Sequence, residues 1–134
     1  MTFSEFLDFI SSDNPSAANQ LPFISTKAEG SNFGVISAHN NFHFCIGNIL
    51  KSRNLKRMIE KSNYPYHQVR VRCFLAYGEN RKFSPLSYEN IFFIFNKDYE
   101  QLKNFLVQCA KKFNQSGFIL KKCDSDEAEF VDVK

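Results

Sequence analysis

The chain has no tryptophan, no C-x-x-C pair and no apolar run near the roughly 18 residues needed to cross a bilayer. Internal repeats, coiled-coil heptads and low-complexity tracts are also missing. The beginning of the chain lacks the basic segment of a secretory signal. We therefore expect a cytoplasmic protein with free thiols and no contact with a membrane.

Sequence motifs of known chemistry are missing as well. The chain contains no G-x-G-x-x-G, no P-loop and no G-x-S-x-G. These absences remove the common nucleotide-binding and hydrolase signatures. We expect no cofactor, and we expect a binding protein rather than an enzyme.

Phenylalanine is abundant, with 16 copies among 134 residues. Its ring offers a large apolar area without a polar group, so most copies should lie in a core or an interface. Hydrophobic residues make up 43% of the chain and charged residues 23%, which is typical of a globular protein. A chain of this length can bury a core without disulfides or metals.

Hydrophobic periodicity predicts three helices. The first has a stripe with helical spacing, made of Phe3, Phe6, Leu7 and Ile10. A second helix is predicted over 45–61, and a third runs from an Asp98 cap to about residue 114. Residues 16–32 are rich in small polar side chains and are predicted to be a long loop. This loop should dock onto the domain through Leu21, Phe23 and Ile24.

Alternating and short apolar runs predict strands over 33–38, 68–77, 88–95 and 118–121, with 129–133 as a fifth strand or a tail. The resulting order is that of an α+β, ferredoxin-like β-α-β-β-α-β sandwich with an N-terminal helical extension. Residues 1–32 would form the N-terminal helix and docking loop, and residues 33–134 a single α+β domain. Because the strand over 88–95 is apolar on both sides, the N-terminal helix or a second copy should cover the second sheet face.

Charge is unevenly distributed, although the net charge is only +3. Residues 51–72 contain seven basic residues and one acidic residue, whereas residues 124–134 contain five acidic residues and one basic residue. The two segments could attract each other within one molecule. Alternatively, they could serve an acidic partner and a solubilising tail.

Arginines and one aromatic ring form the predicted binding surface. Arg53 and Arg57 lie on the second predicted helix, and Arg70 and Arg72 share a strand face with Phe74. Arginine beside an exposed ring is typical of surfaces that hold single-stranded nucleic acid. A solvated helix face and an arginine-protected edge strand are the structural alternative. We expect a macromolecular partner here, a protein rather than a nucleic acid.

His39, His43 and Cys45 form H-x-x-x-H-x-C, and these residue types bind zinc. The spacing matches no zinc module, and Cys73 is the one distant residue that could complete a site. We therefore expect surface histidines and a buried thiol, and no metal site. A cysteine nucleophile is not indicated either, because His43 and Cys45 would point in different directions on a helix.

Four segments carry a family resemblance: VISAHN (35–40), KSRNLKRMIEKSNYPYHQV (51–69), YENIFFIFN (88–96) and KKFNQSGFIL (111–120). They resemble a group of small, uncharacterised bacterial and phage proteins classed as a domain of unknown function. The matching polar positions are Ser37, Asn40, Arg53, Glu89 and Gln115. Asn41 departs from the proline that often follows the asparagine in that group. The resemblance implies no activity, but it implies a setting of phages, plasmids or accessory bacterial genes.

The residues support three functional hypotheses. The first is a non-enzymatic accessory protein of phage or mobile-element type, a monomer or homodimer that binds and inhibits a host or defence factor. The second is nucleic-acid binding by the basic helix and strand face. The third is a small enzyme of unknown reaction that uses a polar cluster of Ser37, Asn40, Glu89 and Gln115 at strand ends. Amides at strand ends more often satisfy backbone groups, which is the structural alternative.

Overall fold

The computed structural model describes residues 1–13, 19–28, 30–39, 45–72 and 88–133. These residues form an α+β fold with four helices and one five-stranded sheet. The helices are α1 (Phe3–Asp13), α2 (Leu21–Ala28), α3 (Cys45–Ser62) and α4 (Tyr99–Lys112). The strands are β1 (Asn32–Ser37), β2 (Tyr66–Arg72), β3 (Tyr88–Asn96), β4 (Gly117–Lys121) and β5 (Ala128–Asp132).

The sheet has the order β2-β3-β1-β4-β5, and every neighbouring pair is antiparallel. The two central strands are β3 and β1, with Val35 opposite Phe93. All six residues of β1 are buried. This agrees with the apolar composition of both strands, because a central strand is covered on both sides.

The first face of the sheet is covered by the N-terminal helices. The apolar stripe of α1 packs with α2 and with alternate residues of β1, β2 and β3 in one buried cluster. Phe33 lies at its centre, with its ring 4.6 Å from that of Phe3 and 4.3 Å from that of Phe95, both edge-on. Edge-on contacts of this kind stabilise aromatic pairs beyond the area they bury. Five of the 16 phenylalanines of the chain lie in this layer.

The second face is covered by α3 and α4. Leu55 and Ile59 of α3 and Leu102 and Leu106 of α4 are fully buried among the opposite residues of the strands. Helix α4 begins at an Asp98 cap, whose carboxylate accepts a hydrogen bond from the Gln101 N–H over 3.0 Å. This cap satisfies one of the helix's free amide groups.

The structure corrects the predicted loop over 16–32, because residues 21–28 form a helix. Leu21 and Ile24 are buried one turn apart, and Pro22 falls in the first turn, where its missing N–H is tolerated. Phe23 was expected to dock but is 68% exposed, since it points away from that buried side. The small polar residues of this segment show no clear helical pattern, and the helix depends on tertiary packing for its stability.

The undecided segment over 129–133 is a strand, β5, which pairs with β4. Its register places Phe130 opposite Ile119. Within the described residues, no helix is long and apolar enough to cross a membrane. The division of the chain at residue 32, into an N-terminal segment and an α+β domain, stays a prediction.

Candidate functional site

Ser37 and Glu89 meet where β1 ends and β3 begins. In the antiparallel register Ser37 lies opposite Ile91, and Glu89 is two residues away on the same face of β3. Ser37 Oγ donates a hydrogen bond to Glu89 Oε2 over 2.9 Å. The two residues are only 1% and 2% exposed. A buried carboxylate is therefore held against a hydroxyl group at the end of the sheet.

The backbone after β1 orients the Ser37 hydroxyl. The N–H of His39 donates a hydrogen bond to Ser37 Oγ over 3.0 Å. Because this contact occupies a lone pair of the oxygen, the hydroxyl proton is directed to Glu89. Burial lowers the pKa of His39, so its imidazole is neutral near pH 7.

Gln115 stabilises the backbone that follows β1. It is buried, and its Nε2 donates to the carbonyl of His39 over 2.8 Å and to that of Phe113 over 3.3 Å. Both contacts satisfy backbone groups, as the structural alternative expected for a strand-end amide. Gln115 thus holds the backbone that orients Ser37, and it does not contact Ser37 or Glu89 by any hydrogen bond of the described residues.

A narrow apolar cleft lies beside Ser37. It is lined by Val35, Ile36, Ser37, Ile91, Gly117, Phe118, Ile119 and Phe130. Its cavity volume is about 30 Å³, which is enough to hold at least one water molecule. Phe130, which is 56% exposed, places its ring edge within 2.6 Å of the position that a β-carbon on Gly117 would take. Glycine at position 117 therefore leaves room for the ring that forms the outer wall.

The predicted polar cluster is brought together only in part. Ser37 and Glu89 are in contact, and Gln115 reaches them through His39. Asn40 lies outside the described residues. His39 was considered only as a metal ligand, and the sequence carried no signal that its amide would orient Ser37.

The predicted binding arginines lie elsewhere. Arg53 and Arg57 are exposed on α3, and Arg70 is exposed on β2, the strand at the opposite edge of the sheet from β5. The backbone of Arg72 ends β2, but its side chain and the whole of Phe74 lie outside the described part of the chain. Their role in binding stays a prediction.

The proposed metal motif is not tested by the structure, because His43 and the side chain of Cys45 lie outside the described residues. Cys109 and Cys123 are free thiols. Burial raises the pKa of the Cys109 thiol to about 12, so this group is not a nucleophile near neutral pH.

Comparisons with known proteins do not identify a family for this chain. No family model and no curated protein matches the chain, in agreement with its resemblance to proteins of unknown function. A solved structure of a phage SAM lyase in complex with S-methyl-5'-thioadenosine is similar over 78% of this chain and 91% of that chain. The identity is 10% and the TM-score is 0.40.

The predicted non-enzymatic role is corrected by this comparison, because the similar solved structure is that of an enzyme. The comparison does not support nucleic-acid binding either. A TM-score of 0.40 carries no argument about the reaction or the substrate. The chemistry of this chain therefore has to be derived from its own site.

Proposed function

We propose that this chain is a small enzyme whose catalytic pair is Glu89 and Ser37. The observation that carries the proposal is a buried carboxylate that accepts a hydrogen bond from a hydroxyl lining an apolar cleft. Burying a carboxylate costs free energy, and folds retain one where it serves structure or chemistry. The position of Ser37 in the wall of the cleft favours chemistry, because it places this residue next to any molecule bound there.

Proton transfer is the chemistry that this pair can perform. A water molecule or an acidic group of the substrate gives its proton to Ser37 Oγ while Ser37 passes its own proton to Glu89 Oε2. Glu89 then acts as the general base and Ser37 as the relay. The proton returns along the same path to the leaving group, so the pair ends the cycle unchanged.

The walls of the cleft indicate what the substrate presents. Val35, Ile91 and Ile119 offer no hydrogen bonds, so the enclosed part of the substrate is small and apolar, or is a single water molecule. The rest of the substrate lies outside the cleft, beside the ring of Phe130. Gln115 is a positioning residue, since it acts through the backbone of His39.

Untargeted metabolite profiling tests this function. The purified protein is incubated with a small-molecule extract of bacterial cells, and compounds consumed by the wild type are compared with those consumed by Glu89→Gln. Glutamine keeps the hydrogen-bond acceptor for Ser37 but cannot accept a proton, so consumption should fall by about a hundredfold or more. Such an extract contains SAM, so the same experiment also tests the compound that names the phage enzyme.

Glu5→Gln is the matched control, because it makes the same change at an exposed position on α1. It should consume the same compounds at the wild-type rate. If the wild type consumes nothing, or if Glu89→Gln is as active as the wild type, the proposed function is wrong.

The finer classification of the fold belongs with this proposal. We propose that β1 to β4, with α3 and α4, form a ferredoxin-like unit and that residues 1–32 are an extension of it. The order β2-β3-β1-β4 and the antiparallel pairing support this assignment. A cytoplasmic location is likewise proposed, and the free thiols of Cys109 and Cys123 support it.

A further inference from the structure

A basic surface with an apolar end lies on α3. We define this helix surface by Ile49, Leu50, Arg53, Arg57 and Lys61, all of which are exposed. Four of them lie on one side of the helix, because positions 50, 53, 57 and 61 are spaced by three or four residues. Ile49 and Leu50 are 49% and 51% exposed, which is unusual for two adjacent large apolar side chains.

An acidic surface that includes an exposed aromatic ring lies along the β5 edge of the sheet. We define this strand surface by Asp124, Asp126, Glu129 and Phe130, which are exposed in and before β5. β5 is the last strand of the sheet and pairs with β4. The N-terminal segment covers the start of its outer edge, because the Ala128 N–H donates a hydrogen bond to the Met1 carbonyl over 3.0 Å. Beyond it, the strand carries the carboxylate of Glu129 on one face of the sheet and the ring of Phe130 on the other.

The two surfaces do not neutralise each other within one copy. Helix α3 packs near β3, whereas β5 is the far edge of the sheet. Among the described residues, no ion pair joins Arg53, Arg57 or Lys61 to Asp126 or Glu129, and the N-terminal amine pairs with Glu127 instead. At these described positions, no direct ion pair joins the basic and acidic segments within one molecule, which was one of the two alternatives for their charges.

We propose that the occupant of each surface is the complementary surface of a second copy of this chain. The helix surface offers positive charge beside two aliphatic side chains, and the strand surface offers carboxylates and a phenyl ring along one edge of the sheet. Charge complementarity combined with apolar contacts is typical of a specific interface. Because the two surfaces differ, the contact is either made twice in a reciprocal dimer or repeated around a ring.

Such a contact would also alter the cleft. Phe130 belongs both to the strand surface and to the outer wall of the cleft. A second copy seated there would cover that wall with its own α3. The association itself does not depend on the proposed catalytic function, and Glu89→Gln should associate like the wild type.

Sedimentation of the full chain at several protein concentrations is the first test. At about 0.05 M salt we expect oligomers, and at about 0.5 M salt we expect the apparent dissociation constant to rise about tenfold or more, because salt screens exposed charges. A monomer at all concentrations in low salt would overturn the proposal. So would an oligomer whose dissociation constant is unchanged by salt.

Charge reversal identifies the surfaces. Arg53→Glu/Arg57→Glu and Asp126→Lys/Glu129→Lys should each weaken self-association about tenfold or more, because like charges then face each other. An equimolar mixture of the two variants should regain association, since the reversed surfaces again complement each other. Loss in both variants without recovery in the mixture would contradict the pairing of these two surfaces.

A matched control and an apolar variant complete the test. Lys97→Glu/Lys111→Glu makes the same change of charge at exposed positions outside both surfaces and should associate like the wild type. Phe130→Ser should weaken association about tenfold at any salt concentration. Circular dichroism confirms that each variant is folded, and equal weakening by the control would overturn the proposal.

Discussion

Gly34 of β1 lies against Leu106 of α4, so close that a β-carbon on the glycine would overlap with Cδ1 of the leucine. The glycine thus sets how closely α4 approaches the central strand of the sheet. This approach brings the residues after α4, including Gln115, to the end of β1 where Ser37 lies. A packing contact within the core therefore supports the geometry of the candidate site.

Gly34→Ala tests this contact. The added methyl group must displace the side chain of Leu106, and overpacking of this kind costs about 1–3 kcal/mol of unfolding free energy. Urea denaturation measures the loss. Gly34→Ala/Leu106→Val should be more stable than the sum of the two single changes predicts, because valine removes the overlapping atom. Simple additivity would show that the two residues are not coupled.

Ser37→Ala removes the hydroxyl that donates to Glu89. The buried carboxylate then loses one partner, which should lower the free energy of unfolding by about 1–3 kcal/mol. Ser11→Ala, which removes an exposed hydroxyl bonded to a backbone carbonyl, should stay within about 0.5 kcal/mol of the wild type. Equal effects in the two variants would argue against a buried interaction at Ser37.

Acidification should destabilise the protein through His67. Burial, and then the charge of Lys27, lower the pKa of this imidazole in the folded chain. Its Nε2 is buried without a hydrogen-bond partner among the described residues, and its ring lies 5.8 Å from that of Phe95. The unfolded chain therefore binds a proton first, and stability is lost as the pH falls below about 6.5 towards the folded pKa.

Urea unfolding between about pH 5.5 and 8 measures this effect. His67→Gln should lose less stability on acidification than the wild type does. His39→Gln should act in the same direction, since burial also lowers the pKa of His39. A wild-type stability that does not fall on acidification would contradict the lowered pKa values of the two histidines.

The two described thiols should differ strongly in reactivity. Cys109 is buried and its pKa is raised to about 12, whereas Cys123 is exposed. Iodoacetamide at about pH 8 should modify the Cys123 peptide at least roughly a hundredfold faster than the Cys109 peptide, as followed by mass spectrometry. In urea the difference should vanish. Comparable rates in the folded protein would mean that the core around α4 opens readily.

Much of the fold was predictable because it depends on local pattern. The stripe of Phe3, Phe6 and Ile10 predicted α1, and the two apolar faces of residues 88–95 predicted a central strand. Helix α2 was missed because residues 21–27, whose side chains the structure describes, include only two buried side chains, too few for a clear period. The hydrophobic pattern of this segment was therefore too weak, rather than absent, for the helix to be predicted.

The candidate site depends on contacts between distant residues, which sequence patterns do not predict. Residue types indicated that Ser37, Glu89 and Gln115 could form a polar cluster at strand ends, but 52 residues separate Ser37 from Glu89 along the chain. Only the register of β1 with β3 decides that these two side chains touch, and a shift of one residue would place them on opposite faces. The ring of Phe130 joins the site through the pairing of β5 with β4, whereas the amide of His39 is a local contact, two residues from Ser37.

The sequence by itself therefore determined the layers, the central strands and the uneven charge, because hydrophobic period and residue charge are local properties. Tertiary structure alone decided which polar groups meet, which face of the sheet α1 and α2 cover, and that the basic helix and the acidic edge lie at opposite ends of the sheet. These outcomes depend on pairing between distant segments, whose register is set by the packing of the whole core.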